Sequence, residues 1–248
     1  MLALNSQADN LIFLHGFLGS PRDWDPFVFP GHFRHCITLP GHEFLPLPPR
    51  APLLEQLLKL FYKQFKKRKV ILIGYSLGGR LAMHFAQTFP ECVKALIILS
   101  ANPGLECPKQ RKSRLQKDKK WAEHLLKEGL LAFIKKWQKQ PLFNPLPPKI
   151  LKRRNNHSPK ELARILRELS PGALPSLWEH LPQFPFKTLF LFGQDDVNYY
   201  KIAKKVQNIN SNITVDMIPH AKHAIHLENF TACREKIDQF INLRKKTC

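Results

Sequence analysis

The sequence lacks long apolar runs and paired cysteines, and each absence argues against a class of structure. None of its apolar runs approaches the roughly 18 residues that a membrane-spanning helix requires, so we expect no membrane span. The five cysteines are scattered, without a Cys-x-x-Cys pair: Cys36, Cys92, Cys107, Cys233 and Cys248. This spacing argues against a disulfide framework and a zinc site, so we expect no bound metal. The N-terminus has neither a basic region nor a long apolar segment, which favours a cytoplasmic location.

Acidic residues are also scarce, with 19 Asp plus Glu against 39 Lys plus Arg, which gives a net charge of +20. Residues 106–185 hold 18 basic and 7 acidic residues and therefore more than half of that charge. No interleaved aromatic residues or nucleic-acid-binding motif accompany the basic run at residues 109–120, so we expect no nucleic-acid partner. Most of these lysines are typical of a solvated surface, which leaves a few arginines for an anionic small molecule.

A strand, a sharp turn and a helix follow one another between residues 69 and 86. A β-branched apolar run at residues 70–73 precedes Gly74-Tyr75-Ser76-Leu77-Gly78, and helix-forming residues follow. A serine on so tight a turn adopts strained backbone angles, and Gly74 and Gly78 leave room for it on either side. We predict that Ser76 lies above the carboxyl ends of a parallel sheet, where it can act as a nucleophile or a base.

Other apolar runs alternate with helical patterns along the chain. Short, largely apolar segments predict strands at residues 10–15, 36–39, 93–99, 188–192 and 213–218. Between about residues 105 and 185 the alternation stops, and basic helical patterns occupy residues 121–131, 132–137, 147–154 and 159–169. We therefore predict a doubly wound, mainly parallel sheet in residues 1–104 and 186–248, with a helical cap inserted at residues 105–185.

Three residues that can together activate a serine follow predicted strands. Ser76, Asp196 and His223 occupy post-strand loops in the chain order serine, aspartate, histidine. In such a triad the histidine takes the serine's proton, and the aspartate fixes the ring tautomer and stabilises the imidazolium. Neighbouring residues remain alternatives: Asp195 for the acid, and His220 or His226 for the histidine.

Two backbone N–H groups are candidates for an oxyanion hole. One belongs to Leu77, which follows the serine, and the other to Phe17, in the loop after the first strand. The alternative for His15-Gly16-Phe17 is a plain tight turn.

Six short segments carry a family likeness beyond the triad. They are HGFLG at 15–19, LPGH at 39–42, GYSLGGR at 74–80, NPGL at 102–105, WQKQPLF at 137–143 and HAIHLEN at 223–229. Together they resemble the 2-succinyl-6-hydroxy-2,4-cyclohexadiene-1-carboxylate (SHCHC) synthases, lyases of menaquinone biosynthesis with the α/β-hydrolase fold. The wider superfamily shares the serine turn and the triad, whereas Arg80 and the segment that begins at Trp137 are more discriminating.

This resemblance implies an elimination rather than a hydrolysis, and it implies that the reaction needs no cofactor. The family removes pyruvate from a cyclohexene carboxylate that bears a succinyl group and an enolpyruvyl ether, and its triad serine abstracts a ring proton. Arginines hold the several carboxylates of that substrate. The resemblance assigns substrate binding to Tyr75, Arg80, Arg114, Trp137 and Arg153, with Arg111 as an alternative to Arg114.

The chain departs from the family pattern at four positions that bear on the substrate: Thr38, Glu43, Lys222 and Asn198. Two other functions therefore stay open. The same triad could serve a carboxylesterase or thioesterase through an acyl-enzyme, and the same fold could serve a non-enzymatic protein that binds nucleic acid. We expect a monomer or a weak homo-oligomer.

Overall fold

A computed structural model describes residues 8–49, 51–66 and 68–243, so that Cys248 lies outside the described residues. The strands in these ranges are β1 (Asn10–Leu14), β2 (Phe33–Ile37), β3 (Val70–Tyr75), β4 (Val93–Leu99), β5 (Thr188–Gly193) and β6 (Ile213–Ile218). They form one sheet in the order β2-β1-β3-β4-β5-β6, and each neighbouring pair is parallel. The carboxyl ends of all six strands therefore lie along one edge.

Helices cover both faces of this sheet. They are α1 (Leu53–Phe65), α2 (Leu77–Thr88), α3 (Pro108–Gln138), α4 (Pro148–Arg153), α5 (Pro159–Glu168), α6 (Val197–Val206), α7 (Ile225–Glu228) and α8 (Phe230–Leu243). Successive strand residues point to opposite faces. Leu72 of β3 belongs to one buried cluster with Leu81 of α2, and the next residue, Ile73, belongs to a second cluster with Trp24 and Ile237 of α8.

The predicted fold class, a doubly wound parallel sheet with inserted helices, is confirmed. Helices α3, α4 and α5 fall between β4 and β5 in the chain. The exact division into residues 1–104, 105–185 and 186–248 stays a prediction. No helix within the described ranges has the length and apolar character needed to cross a membrane.

The elements that differ from the sequence prediction include one strand and two helices. Strand β2 begins at Phe33, three residues before the predicted start. The prediction missed these residues because they are exposed or half-buried and do not form a continuous apolar run. Helix α3 begins at Pro108, thirteen residues before the predicted start. The prediction missed this part because the first three turns are almost wholly polar and show no apolar periodicity. Helix α6 was not predicted; it buries only two residues, Ala203 and Val206.

Helix α3 is folded back on itself at Gly129, where φ is 78° and ψ is 170°. The ring centroids of Trp121 and Trp137 lie 5.1 Å apart. A straight helix would separate residues sixteen positions apart by about 24 Å. The two halves therefore run back alongside each other, and Trp137 returns to the body of the protein.

Gly78 permits the close approach of α2 to β1. A Cβ atom at this position would lie 2.3 Å from the Leu14 carbonyl oxygen and 2.5 Å from that of His15. We predict that Gly78→Ala lowers the free energy of unfolding by about 3 kcal/mol, since helix and strand must separate. Urea denaturation tests this. Gln87→Ala, an exposed change on the same helix, should cost no more than about 0.5 kcal/mol; equal effects of the two variants would contradict the prediction.

Candidate active site

Ser76 lies on the strained turn that the sequence predicts. Its backbone angles are φ 49° and ψ −105°, and its N–H donates to the Leu99 carbonyl oxygen at 2.9 Å. A Cβ at Gly74 would lie 2.6 Å from the Gly78 oxygen, so the turn closes only with glycine there. The packing of β3 and α2 maintains this strained turn, which places Ser76 at the carboxyl edge of the sheet.

Ser76, His223 and Asp196 come together at this edge. The Ser76 Oγ lies 3.1 Å from His223 Nε2, within hydrogen-bonding distance. The His223 Nδ1 lies 3.4 Å from Asp196 Oδ2, yet neither atom makes a hydrogen bond of good geometry within the described residues. This contact is electrostatic at the present separation, and such contacts often shorten when substrate binds. Asp196 is held in place because its Oδ1 accepts the Tyr199 N–H at the start of α6.

The alternatives are placed differently. Asp195 and His220 are exposed. His226 is buried between Trp24 and Tyr75, with ring centroids 4.7 and 4.2 Å away, and burial lowers its pKa to about 3. The geometry therefore favours Asp196 and His223 as the partners of Ser76.

Glu228 fixes the histidine loop, although the sequence analysis gave it no role. Its carboxylate accepts the N–H of Lys222 at 2.7 Å and that of Ala224 at 2.9 Å, on either side of His223. It also accepts the Asn144 side-chain amide at 2.7 Å. The segment HAIHLEN contains this glutamate, but only the folded chain shows that it turns back on the histidine.

The two predicted oxyanion donors lie on neighbouring loops. Leu14 of β1 pairs with Gly74 of β3, so the loop that carries Phe17 lies beside the start of α2 at Leu77. His15 anchors this loop. Its Nε2 accepts the Leu39 N–H at 3.1 Å, so its proton is on Nδ1, which donates to the Gly16 oxygen at 2.9 Å.

A buried ion pair also supports the Phe17 loop. Arg154 contacts Asp23 at 2.8 Å, and the same guanidinium nitrogen donates to the Leu18 carbonyl oxygen at 2.5 Å. His157 Nε2 donates to that carbonyl at 3.2 Å, while its Nδ1 accepts the Glu43 N–H at 3.0 Å. The segment that follows α4 therefore holds the loop in place.

A cavity of about 990 Å³ opens above Ser76 and His223. Its cationic lining residues are Arg80, Lys109, Arg114, Lys117 and Arg154. No Asp or Glu of the described ranges lines it. Such a cavity favours an anionic ligand, because carboxylates entering it meet guanidinium and ammonium groups without competing negative charge.

Most of the predicted substrate residues line this cavity. Arg80 is half-buried and donates to the Leu169 carbonyl oxygen at 2.6 Å. Burial, and to a lesser degree the charge of Arg114, lower the pKa of Arg80 to about 10, so it stays charged at neutral pH. Tyr75 and Trp137 are also lining residues, and the Trp137 ring lies 5.2 Å from that of Phe17.

The role of Arg153 in substrate binding stays a prediction, because the structure places this residue apart from the cavity. Arg153 is not among the cavity residues and donates to the Arg22 carbonyl oxygen at 3.2 Å. The next residue, Arg154, lines the cavity instead. Consecutive residues at a helix end point about 100° apart, so neighbouring arginines face different surroundings. Arg111, the alternative to Arg114, also lies outside the cavity lining.

Of the four departures from the family pattern, one lines the cavity, namely Asn198. Thr38 and Glu43 contact each other, since the Thr38 hydroxyl donates to the carboxylate at 3.4 Å. Lys222 Nζ donates to the Pro141 carbonyl oxygen at 3.4 Å. Within the described part of the chain, no group of three or more His, Cys, Asp or Glu side chains is arranged to hold a metal ion.

The Alpha/beta hydrolase family model matches residues 11–235. This chain belongs to the alpha/beta hydrolase family. The SHCHC synthase of Salmonella heidelberg (strain SL476) is similar to this hydrolase-fold chain, with 31% identity over 245 residues that cover 95% of each protein. These findings confirm the resemblance that the six sequence segments predict.

Solved structures agree with this family. The structure of MenH from S. aureus is similar at a TM-score of 0.90 and 29% identity, covering 97% of this chain and 96% of that one. A carboxylesterase structure from Nitrososphaera gargenis is similar at a TM-score of 0.83 and 16% identity, covering 98% of this chain and 93% of that one. The second match supports the fold alone.

The buried histidines predict an acid-sensitive fold. Burial lowers the pKa of His15 and His157 to about 4 and that of His226 to about 3. Well above pH 6.5, the ordinary pKa of histidine, they are neutral in both folded and unfolded chains. As the pH is lowered from 6.5 to 4, the unfolded chain binds these protons and the folded chain does not. The free energy of unfolding therefore decreases by up to about 1.4 kcal/mol per pH unit for each histidine.

Urea denaturation at pH 7, 6, 5 and 4.5 measures this loss. His226→Phe should reduce the pH dependence of the free energy of unfolding by about one proton, because phenylalanine does not titrate. The change breaks no hydrogen bond, since no described residue hydrogen-bonds either ring nitrogen of His226. The exposed variant His220→Asn is the matched control and should keep the wild-type slope. A slope unchanged in His226→Phe would contradict the assignment.

Proposed function

We propose that this α/β hydrolase is a lyase of menaquinone biosynthesis. It eliminates pyruvate from 2-succinyl-5-enolpyruvyl-6-hydroxy-3-cyclohexene-1-carboxylate and yields SHCHC. The observation that supports this most strongly is the cavity above Ser76: among the residues that the structure describes, five cationic side chains and no carboxylate line it. Synthase relatives that match 95% of the chain point to the same substrate.

In the proposed reaction, Ser76 is the base. His223, 3.1 Å from the serine oxygen, takes the hydroxyl proton as Ser76 removes a proton from the substrate ring. The electrons of the broken C–H bond expel the enolpyruvyl oxygen, and the leaving enolate becomes pyruvate when it gains a proton. Asp196 stabilises the imidazolium.

Charge that develops on the substrate carbonyl is held by backbone N–H groups. Leu77 and Phe17 supply the two donors. Stabilisation of the enolate that forms on the substrate, as distinct from the leaving enolate, is the largest single contribution to the rate. Arg80, Arg114 and Arg154 bind the carboxylates, since a guanidinium offers two parallel N–H groups to one carboxylate.

Ser76→Ala tests the base. The variant lacks the group that removes the ring proton, so we predict that kcat for pyruvate release falls about 10³-fold with little change in KM. A coupled pyruvate assay with enzymatically generated substrate measures this. Ser211→Ala, at an exposed turn, should keep wild-type activity. A Ser76→Ala protein with full activity would sink the mechanism.

Arg80→Gln tests carboxylate binding. The change removes a charge-assisted contact and should raise KM about 10- to 100-fold, with a smaller effect on kcat. The exposed variant Arg68→Gln removes the same charge far from the cavity lining and is the control. Equal KM values in the two variants would show that Arg80 does not meet the substrate.

A second function deserves a test because the 3.1 Å contact between Ser76 and His223 also suits nucleophilic attack. A carboxylesterase or thioesterase would form an acyl-enzyme on Ser76. A burst of product from an activated ester, with a covalent adduct on Ser76 by mass spectrometry, would support it. If the protein releases pyruvate and forms no adduct on Ser76, the esterase function is excluded and the lyase function remains.

A further inference from the structure

Leu169 and Ser170, which directly follow α5, hold two arginines of the cavity, Arg80 of α2 and Arg114 of α3. The Leu169 carbonyl oxygen accepts a hydrogen bond from Arg80 Nη1 at 2.6 Å. The Ser170 hydroxyl donates to Asp118 Oδ2 at 2.7 Å, and the same oxygen accepts Arg114 Nε–H at 2.8 Å. A single turn of chain thus fixes one arginine directly and the other through a carboxylate.

Asp118 is unusual on its helix. Helix α3 carries ten basic residues and three acidic ones, and Asp118 is buried, at 3% exposure, as is Ser170 at 2%. A carboxylate loses its hydration when buried and persists only with partners such as these. The Ser170 oxygen in turn accepts the Gly172 N–H at 3.0 Å.

The turn itself is clamped against α3. A Cβ at Gly172 would lie 2.4 Å from the Arg111 carbonyl oxygen and 2.8 Å from the Leu115 nitrogen. This contact keeps Ser170 at a constant distance from the first turns of α3. The Asp118 carboxylate therefore has a fixed position rather than a surface rotamer.

The hydrogen bond from Nε leaves the far end of Arg114 available. Within residues 8–49, 51–66 and 68–243, its terminal nitrogens make no hydrogen bond, and the residue lines the cavity. A guanidinium held by Nε presents its two terminal nitrogens outward, and they can bind a carboxylate. The charge of Arg114 acts on Arg80, so the two cations lie near each other.

We infer that Asp118 and Ser170 are positioning residues that aim Arg114 at a substrate carboxylate beside Arg80. This inference rests on the proposed function for its substrate. Asp118 acts through Arg114 and does not meet the substrate, since it does not line the cavity. The two arginines then form one clamp, with its geometry set by the turn after α5.

A simple counter-charge would behave differently. If Asp118 only balanced the cationic cavity, its neutralisation would make the cavity more positive, and anions would bind more tightly. If Asp118 holds Arg114 in place, its neutralisation lets the guanidinium turn away, and anions bind more weakly. The sign of the change in KM therefore separates the two roles.

The test compares Asp118→Asn with Ser170→Ala in the pyruvate-release assay. We expect KM to rise about tenfold in Asp118→Asn and about threefold in Ser170→Ala, with kcat within about twofold of wild type. Glu123→Gln, an exposed change of the same charge on the same helix, should leave KM unchanged. An unchanged or lower KM in Asp118→Asn overturns the inference.

Two further measurements keep the test decisive. In the Arg114→Gln background, Asp118→Asn should add no more than about a twofold change, and additive penalties would contradict action through Arg114. The Nε–H proton of Arg114, assigned by its loss in Arg114→Lys, should exchange with water at least about tenfold faster in Asp118→Asn. Equal exchange rates in Asp118→Asn and wild type would overturn the contact between Asp118 and Arg114. This measurement does not need the substrate, whereas a wild-type protein that releases no pyruvate would refute the proposed function.

Discussion

The strained turn at Ser76 is the constraint on which the rest of the structure depends. A positive φ at a serine is unfavourable, and it persists only because β3 and α2 are packed tightly around it. Gly74 and Gly78 allow that packing, since a side chain at either position would overlap backbone atoms. The turn places the serine oxygen at the sheet edge, where the loops after β5 and β6 deliver Asp196 and His223.

Charge is distributed so that the cavity remains positive. The carboxylates nearest its arginines are buried behind them, with Asp23 against Arg154 and Asp118 against Arg114. These acids orient the guanidiniums without lining the space that the substrate would occupy. The excess of basic residues on α3 adds to the same potential, since ten basic and three acidic residues contribute +7 of the net charge of +20.

The sheet and the serine turn could be predicted from the sequence because their signals are local. Buried parallel strands such as β5 are nearly continuous apolar runs, and the residues around Ser76 have a fixed glycine spacing. The first thirteen residues of α3 could not be recognised as helical, since their lysines and glutamines have no apolar periodicity. The position of Arg154 in the cavity lining could not be predicted, because it depends on the direction in which a helix end points.

Supporting residues of the site were beyond sequence reasoning for a different reason. Glu228 and Asp118 are unremarkable charges along the chain, and their roles arise only from contacts with backbone or side chains that folding brings near. Asp196 could be preferred to Asp195 only by analogy of position, whereas the fold buries one and exposes the other. Such contacts between distant segments leave no periodic signal.

The central claim is that this site eliminates pyruvate rather than hydrolyses esters. The most direct measurement compares kcat/KM for pyruvate release with kcat/KM for hydrolysis of a simple activated ester, using one preparation of the wild-type protein. The account predicts release well above the spontaneous rate and a much larger kcat/KM for elimination. Release at the spontaneous rate, with efficient ester hydrolysis through Ser76, would contradict it.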